Sequence, residues 1–319
     1  MSQPEPAAAA LAPRPPARLR GGISPEAAFL WGAAAILSVL AVWYLVTAPL
    51  FSVPVEGVAE QPGEREYVPL VSPVMLPGPG AVFEAVPRIV SQRKLLANTL
   101  VTLRRVVLGF GLAAIVGVPA GIIAACFPAV RAFLYPITIF GRNIPVAALI
   151  PLTFFLFGIG EFQKVMFLFI ASVAFVISDA TAAVLEVPER YVDTALTLGA
   201  SRWQIIAKVL APLAAPAIFN SLRLLFGLAF GYVMLAELVK FGSDSGGLGD
   251  LINVSQRRGE REPILVVLIM IPLLAYAIDR ALWWLQCDLF PYRYGGKGRI
   301  KGLWQRLFHA ATPRVEFRP

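Results

Sequence analysis

The sequence predicts an all-α polytopic membrane protein with six transmembrane helices. Three observations carry that prediction. Of 319 residues, 57% are hydrophobic and only 15% are charged, where a soluble domain carries about 25% charged residues. The mean hydropathy is +0.70. The apolar side chains fall in runs of about 20 residues, the length that crosses about 30 Å of hydrocarbon. The net charge of +8 does not point to nucleic acid. The basic residues gather in the tails and loops, where anionic lipid and membrane orientation account for them.

Taken in order, residues 1–25 are rich in Ala and Pro, with Arg14, Arg18 and Arg20. That composition buries no core and reads as a disordered tail. Phe29 to Leu50 is an uncharged run of 22 residues. It is long for a signal sequence and ends near Trp43 and Tyr44, which suit a membrane interface, so it reads as a retained anchor. The stretch up to residue 75 is a polar, Pro-rich loop with Glu56, Glu60, Glu64 and Glu66. Ala81 to Arg105 reads as an interfacial helix carrying Arg88, Arg93, Lys94, Arg104 and Arg105.

Val106 to Phe127 is the second span. Gly117 and Gly121, four apart, allow close helix approach, and Pro119 should kink it. The third span, Phe133 to Ile159, contains Arg142 and Asn143 and is interrupted by Pro145 and Pro151. Val165 to Leu185 is the fourth, with Ser178 and Asp179 inside. Ala215 to Val239 is the fifth, with Arg223 and Glu237. Ile264 to Gln286 is the sixth. Between the last two lies a Gly-rich loop, FGSDSGGLGD, which reads as an outer loop or gate rather than a phosphate cradle, because it follows a membrane helix and not a strand. The remaining C-terminal residues form a basic tail, with Arg293, Lys297, Arg299, Lys301 and Arg306. Two basic tails on the same side of six spans should both be cytoplasmic.

Cys126 and Cys287 lie in or beside apolar runs with no metal-ligand neighbours and read as small hydrophobes. His309 stands alone in the tail. With no acid, base or metal cluster, an integral membrane enzyme is poorly supported.

Tyr191 to Pro212, YVDTALTLGASRWQIIAKVLAP, interrupts the apolar pattern. Pro188 suits a first helical turn, and Gly199 suits a left-handed C-terminal cap. Ser201 with Gln204 fits a capping box. The expectation is two short helices about a tight turn, the second running from Arg202 to about Leu210 and ended by Pro212. Such a segment fits either a helix lying on the inner leaflet or a knob for a cytoplasmic partner.

These residues resemble the EAA loop in membrane subunits of binding-protein-dependent ABC importers. That pattern has Glu-Ala-Ala, three residues, Gly, nine residues, then Ile-x-Leu-Pro. Here Asp193-Thr194-Ala195, Gly199 and Val209-Leu210-Ala211-Pro212 keep the spacing. LPGPGAVFEA, LRRVVLGFGLAAIVGVPAGI, IPVAALIPLTFFLFGIGEFQKV, LAELV and SGGLGDLI are similar to the nitrate, sulfonate and taurine branch, over about Leu76 to Tyr292. The resemblance implies a type I ABC importer permease fold, with a first helix and extracytoplasmic loop (26–75), a permease core (76–292) and the basic tail (293–319).

It also implies a pore of two such chains carrying a small solute such as nitrate, a sulfonate, taurine or bicarbonate. Two ATPase subunits would supply ATP and Mg, since this chain has no phosphate-binding loop and no cofactor of its own. A periplasmic or lipid-anchored binding protein would deliver solute. The ATPase-coupling residues would be Asp193, Ala195, Gly199, Ala200, Ser201, Arg202, Trp203 and Pro212. Polar groups inside spans are costly and need a partner or a task. Arg142, Asn143, Ser178, Asp179 and Glu237 are therefore candidates for the translocation path, with interhelical pairing as the alternative. A secondary transporter working without an ATPase is the competing reading, but it leaves the 191–212 segment unexplained.

Overall fold

The computed structural model describes residues 24–48, 52–55, 66–69, 75–239 and 246–294. The N-terminal tail to residue 23, Glu56, Glu60 and Glu64, residues 240–245 of the Gly-rich loop, and the tail from residue 295 with His309 lie outside the described residues. The chain forms two compact units, Met1–Pro79 and Gly80–Pro319.

The first unit holds α1 (Pro25–Thr47) and a two-stranded antiparallel pair, β1 (Ser52–Val55) and β2 (Glu66–Pro69), in which Val53 faces Val68. Ser24 caps α1, its hydroxyl accepting from the Ala27 amide at 3.2 Å. Trp43 donates its indole N–H to the Pro77 carbonyl. Among the described residues, the short strand pair is the exception to an otherwise helical architecture.

The second unit contains α2 (Pro79–Gln92), α3 (Leu95–Cys126), α4 (Pro128–Asn143), α5 (Val146–Phe157) and α6 (Glu161–Leu185). They are followed by α7 (Arg190–Thr197), α8 (Arg202–Ile205), a π-turn (Ile206–Leu210), α9 (Ala211–Leu238), α10 (Leu248–Arg257), α11 (Glu262–Leu289) and α12 (Pro291–Tyr294). Among the described residues, five helical stretches are long and apolar enough to cross a membrane: α1, α3, α6, α8 through α9, and α11. A sixth span arises if α4 and α5, bent by 107°, count as one broken helix. Pro145 stands at the bend, where it disfavours helical geometry in the residue before it. Pro151 stays inside α5 and breaks nothing.

The interfacial helix expected over Ala81 to Arg105 is instead two elements. Lys94, at φ 49°, separates α2 from α3. The second span thus begins eleven residues earlier than Val106, which its charges had concealed.

The centre of the bundle is the seam between α3 and α6. A Cβ on Gly109 would lie 2.5 Å from Leu168 Cβ, on Gly117 2.7 Å from Val176 Cγ1, and on Gly121 2.6 Å from Ala180 Cβ. Two helices approach this closely only through residues without side chains. Phe167, Leu168, Ala171, Ala180 and Ala113 are fully or almost fully buried along the same seam. Gly121→Leu should therefore lower stability by about 1–3 kcal/mol, as overpacking does, seen as a lower thermal unfolding midpoint in detergent. Gly111→Leu, whose added Cβ meets nothing within 4 Å, should leave the midpoint unchanged.

Candidate functional site

The interrupting segment folds as a doubly capped helical turn. Helix α7 ends at Gly199, which takes φ +77°, a conformation that only glycine adopts cheaply. The Ala200 amide donates to the Ala195 carbonyl at 3.0 Å and the Gly199 amide to Leu196 at 2.9 Å, the paired bonds of a Schellman cap. On the other side, the Ser201 hydroxyl accepts from the Gln204 amide, and the Gln204 carboxamide oxygen accepts from the Ser201 amide at 2.8 Å. Ala195 and Ile205 are buried and root the turn in the bundle. Leu198 is 82% exposed and Trp203 67% exposed at its tip, with Asp193, Ser201 and Arg202 also on the surface. The Trp203 ring leans on Phe127 with centroids 6.0 Å apart.

Pro212 does not end the second helix. The chain opens into π register over Ile206–Leu210, where the Ala211 amide bonds back to Ile206, and then continues as α9. A proline ring clashes with the carbonyl four residues back in an α-helix. The wider turn takes it up without a break, so α8 and the span form one continuous element.

The five intramembrane polar candidates do not form one site. Arg142 donates to Ser178 Oγ at 2.5 Å, lies 3.9 Å from Asp179 and sits over the Phe175 ring. These three groups share the junction of α4 and α6. Asp179 also borders a polar cleft of about 440 Å³ with Asn220, Ser221 and Arg293. Asn143 is exposed and bonds only within its own helix, to the Ile139 carbonyl.

Glu237 is elsewhere and has no exposed surface, so it borders no open path in this chain. Its Oε1 accepts from Arg105 Nη1 at 2.6 Å and its Oε2 from the Gly249 amide at 2.9 Å. The Thr102 hydroxyl bonds to the same carboxylate. Arg105, 1% exposed, also donates to the Gly246 carbonyl and makes a two-pronged pair with Glu161. Lys164 stands 3.5 Å from Glu161. Two cations and two carboxylates thus balance in one cluster.

The amides of Gly247, Leu248 and Gly249 donate in turn to Asn98, Thr102 and Glu237. The start of α10 is capped by side chains of α3 and α9, and a carboxylate there also suits the helix dipole. The glycines are needed for close approach: a Cβ on Gly249 would lie 2.6 Å from Glu237 Cβ.

With this geometry in place, comparison with known proteins decides the family. The sequence profile of the binding-protein-dependent transport system inner membrane component matches residues 117–286. The chain belongs to this family of ABC importer permeases. It is 32% identical over 228 residues to the taurine transport system permease protein TauC of Escherichia coli, covering 70% of this chain and 82% of that one. It is 30% identical over 189 residues to the bicarbonate transport system permease protein CmpB of Synechococcus elongatus, covering 59% and 67%. Among solved structures, the inward-facing MetNI methionine ABC transporter matches with a TM-score of 0.54 and 25% identity, covering 60% of this chain and 94% of that one.

The permease is a multi-pass inner-membrane protein of the type I importer fold. The capped turn is legible in the sequence but the buried cluster is not, because Arg105 looks like an interfacial charge and its partners lie 56 and 132 residues away. Removing one partner from a buried pair strands the other charge and costs about 3–5 kcal/mol. Arg105→Leu should therefore lower the unfolding midpoint of the purified permease more than the Arg105→Leu/Glu237→Leu double variant does. A loss in the double variant equal to the sum of the Arg105→Leu and Glu237→Leu losses would mean the two groups are not coupled.

Proposed function

We propose that this permease is the pore-forming subunit of an ATP-driven importer, working as a pair of identical chains. Both termini and the 190–205 turn face the cytoplasm. Two ATPase subunits, which hold the ATP and Mg, grip the turn, and a binding protein delivers solute on the other face. The observation that carries this reading is the turn itself. Leu198 and Trp203 are large apolar side chains held out from the surface on a backbone capped from both sides. A helix that merely lay on lipid would need neither the glycine reversal nor the capping box. A rigid projection is what converts movement of a partner into movement of a span.

For the solute, the identity to the taurine and bicarbonate permeases supports a small, charged or zwitterionic molecule. Arg142, Ser178 and Asp179 offer both signs of charge and a hydroxyl on one helix junction. They are the best candidates for lining the path, with Asn143 exposed nearby on α4. Glu237 belongs to the scaffold.

The test is co-expression with the ATPase subunits of the same transporter. Gly199→Val, strained at φ +77°, and Trp203→Asp should each reduce co-purified ATPase at least about tenfold, as loss of an interface anchor does, while membrane insertion is kept. Full retention of the ATPase by both variants would refute the coupling role.

A further inference from the structure

The start of α9 has a structural problem that the end of the chain solves. Pro216 sits inside α9 and has no N–H, so the carbonyl of Pro212, four residues earlier, loses its helical donor. Tyr292 in α12 supplies one: its hydroxyl donates to the Pro212 carbonyl at 2.9 Å. Tyr292 is 64% exposed, and its phenol carries the donor proton at neutral pH.

The contact is one of several in the same place. Gln286, near the end of α11 and 1% exposed, donates to the Pro216 carbonyl at 3.1 Å and to Tyr294 Oη at 3.0 Å. Its own oxygen accepts from Arg223 at 2.8 Å, and Arg223 pairs with Asp279 at 2.7 Å. Phe290 stacks edge-on against Phe219 of α9 and against Tyr292. Arg293 borders a groove with Pro188 and Tyr191, beside the start of the coupling turn. The turn runs without interruption through the π segment into Pro212. The segment from Phe290 to Tyr294 therefore grips α9 where the coupling turn enters the span.

We infer that Phe290–Tyr294 is a strap that makes α11 move with the coupling turn and α9, with Tyr292 and Gln286 as the residues that position it. This rests on the coupling role proposed above for the turn. A push on the turn would otherwise be dissipated by flexing at Pro212 and Pro216, two prolines beside a π-turn, where the helix has lost backbone bonds. The strap supplies one missing donor, from Tyr292 of α12 to the Pro212 carbonyl, and ties α11 to the Pro216 carbonyl through Gln286, and so transmits the displacement to the last span.

The experiment uses the complete transporter, permease with its ATPase subunits, in lipid nanodiscs. Nitroxide labels are placed on Glu189→Cys before α7 and Ala281→Cys on α11, in a chain carrying Cys126→Ser and Cys287→Ser. The distance between them is measured without nucleotide and with ATP trapped by vanadate. ATP turnover without binding protein is measured in parallel.

In the otherwise wild-type chain, the distance should be the same in both states. With Tyr292→Phe, and more so with Gln286→Leu, it should differ between the states. Unstimulated ATP turnover should also change about two- to tenfold, the range expected for one hydrogen bond, with assembly retained. A wild-type complex in which the two labels already move apart, or a Tyr292→Phe complex indistinguishable from wild type in both readouts, overturns the strap and leaves the coupling turn standing. A wild-type chain that retains no ATPase subunits overturns the coupling role itself, and the strap with it.

Discussion

A guanidinium with 1% of its surface exposed, inside a bundle built for lipid, is the constraint around which one end of this permease is arranged. Arg105 keeps its charge, so in such a place it needs partners to offset its desolvation. The fold brings it two carboxylates from different helices, Glu161 and Glu237, and a backbone carbonyl from Gly246. Glu237 is in turn satisfied by Thr102 and the Gly249 amide. Helices α3, α6, α9 and α10 are therefore held in register by one set of hydrogen bonds. Gly247 and Gly249 of the SGGLG run are there because the chain must lie directly against the Glu237 side chain.

The opposite end is held differently. Along the middle, α3 and α6 are brought together by missing side chains, at Gly109, Gly117 and Gly121. At the far end the turn itself is held by local, exposed bonds, the caps about Gly199 and Ser201 and the π-turn, and is tied to the end of the chain by the Tyr292 hydroxyl on Pro212. Cooperative stability is rarely uniform, and the parts of a protein that move are drawn from its less buried contacts.

The sequence made the local chemistry legible and hid the long-range chemistry. Span positions followed from uncharged runs, and the turn at Gly199 followed from capping rules that reach only three or four residues. Both rest on interactions between near neighbours. The start of α3 was misplaced because a charged residue in a sequence looks interfacial until its partners are known, and those of Arg105 are 56 and 132 residues distant. Pro212 looked like a stop because the rule assumes α register, whereas the chain widens into a π-turn there. Glu237 was grouped with Asp179 on polarity alone. Only the packing separates a carboxylate with every oxygen engaged and no exposed surface from one that borders an open cleft.

Amide hydrogen exchange at Gly247, Leu248 and Gly249, in the wild-type permease and in Glu237→Leu, tests the clasp most directly. The account predicts strong protection of these amides in the wild type and its loss at all three positions in the variant, while amides along the α3–α6 seam stay protected. Weak protection of the three amides in the wild type, or protection unchanged by the substitution, would contradict it.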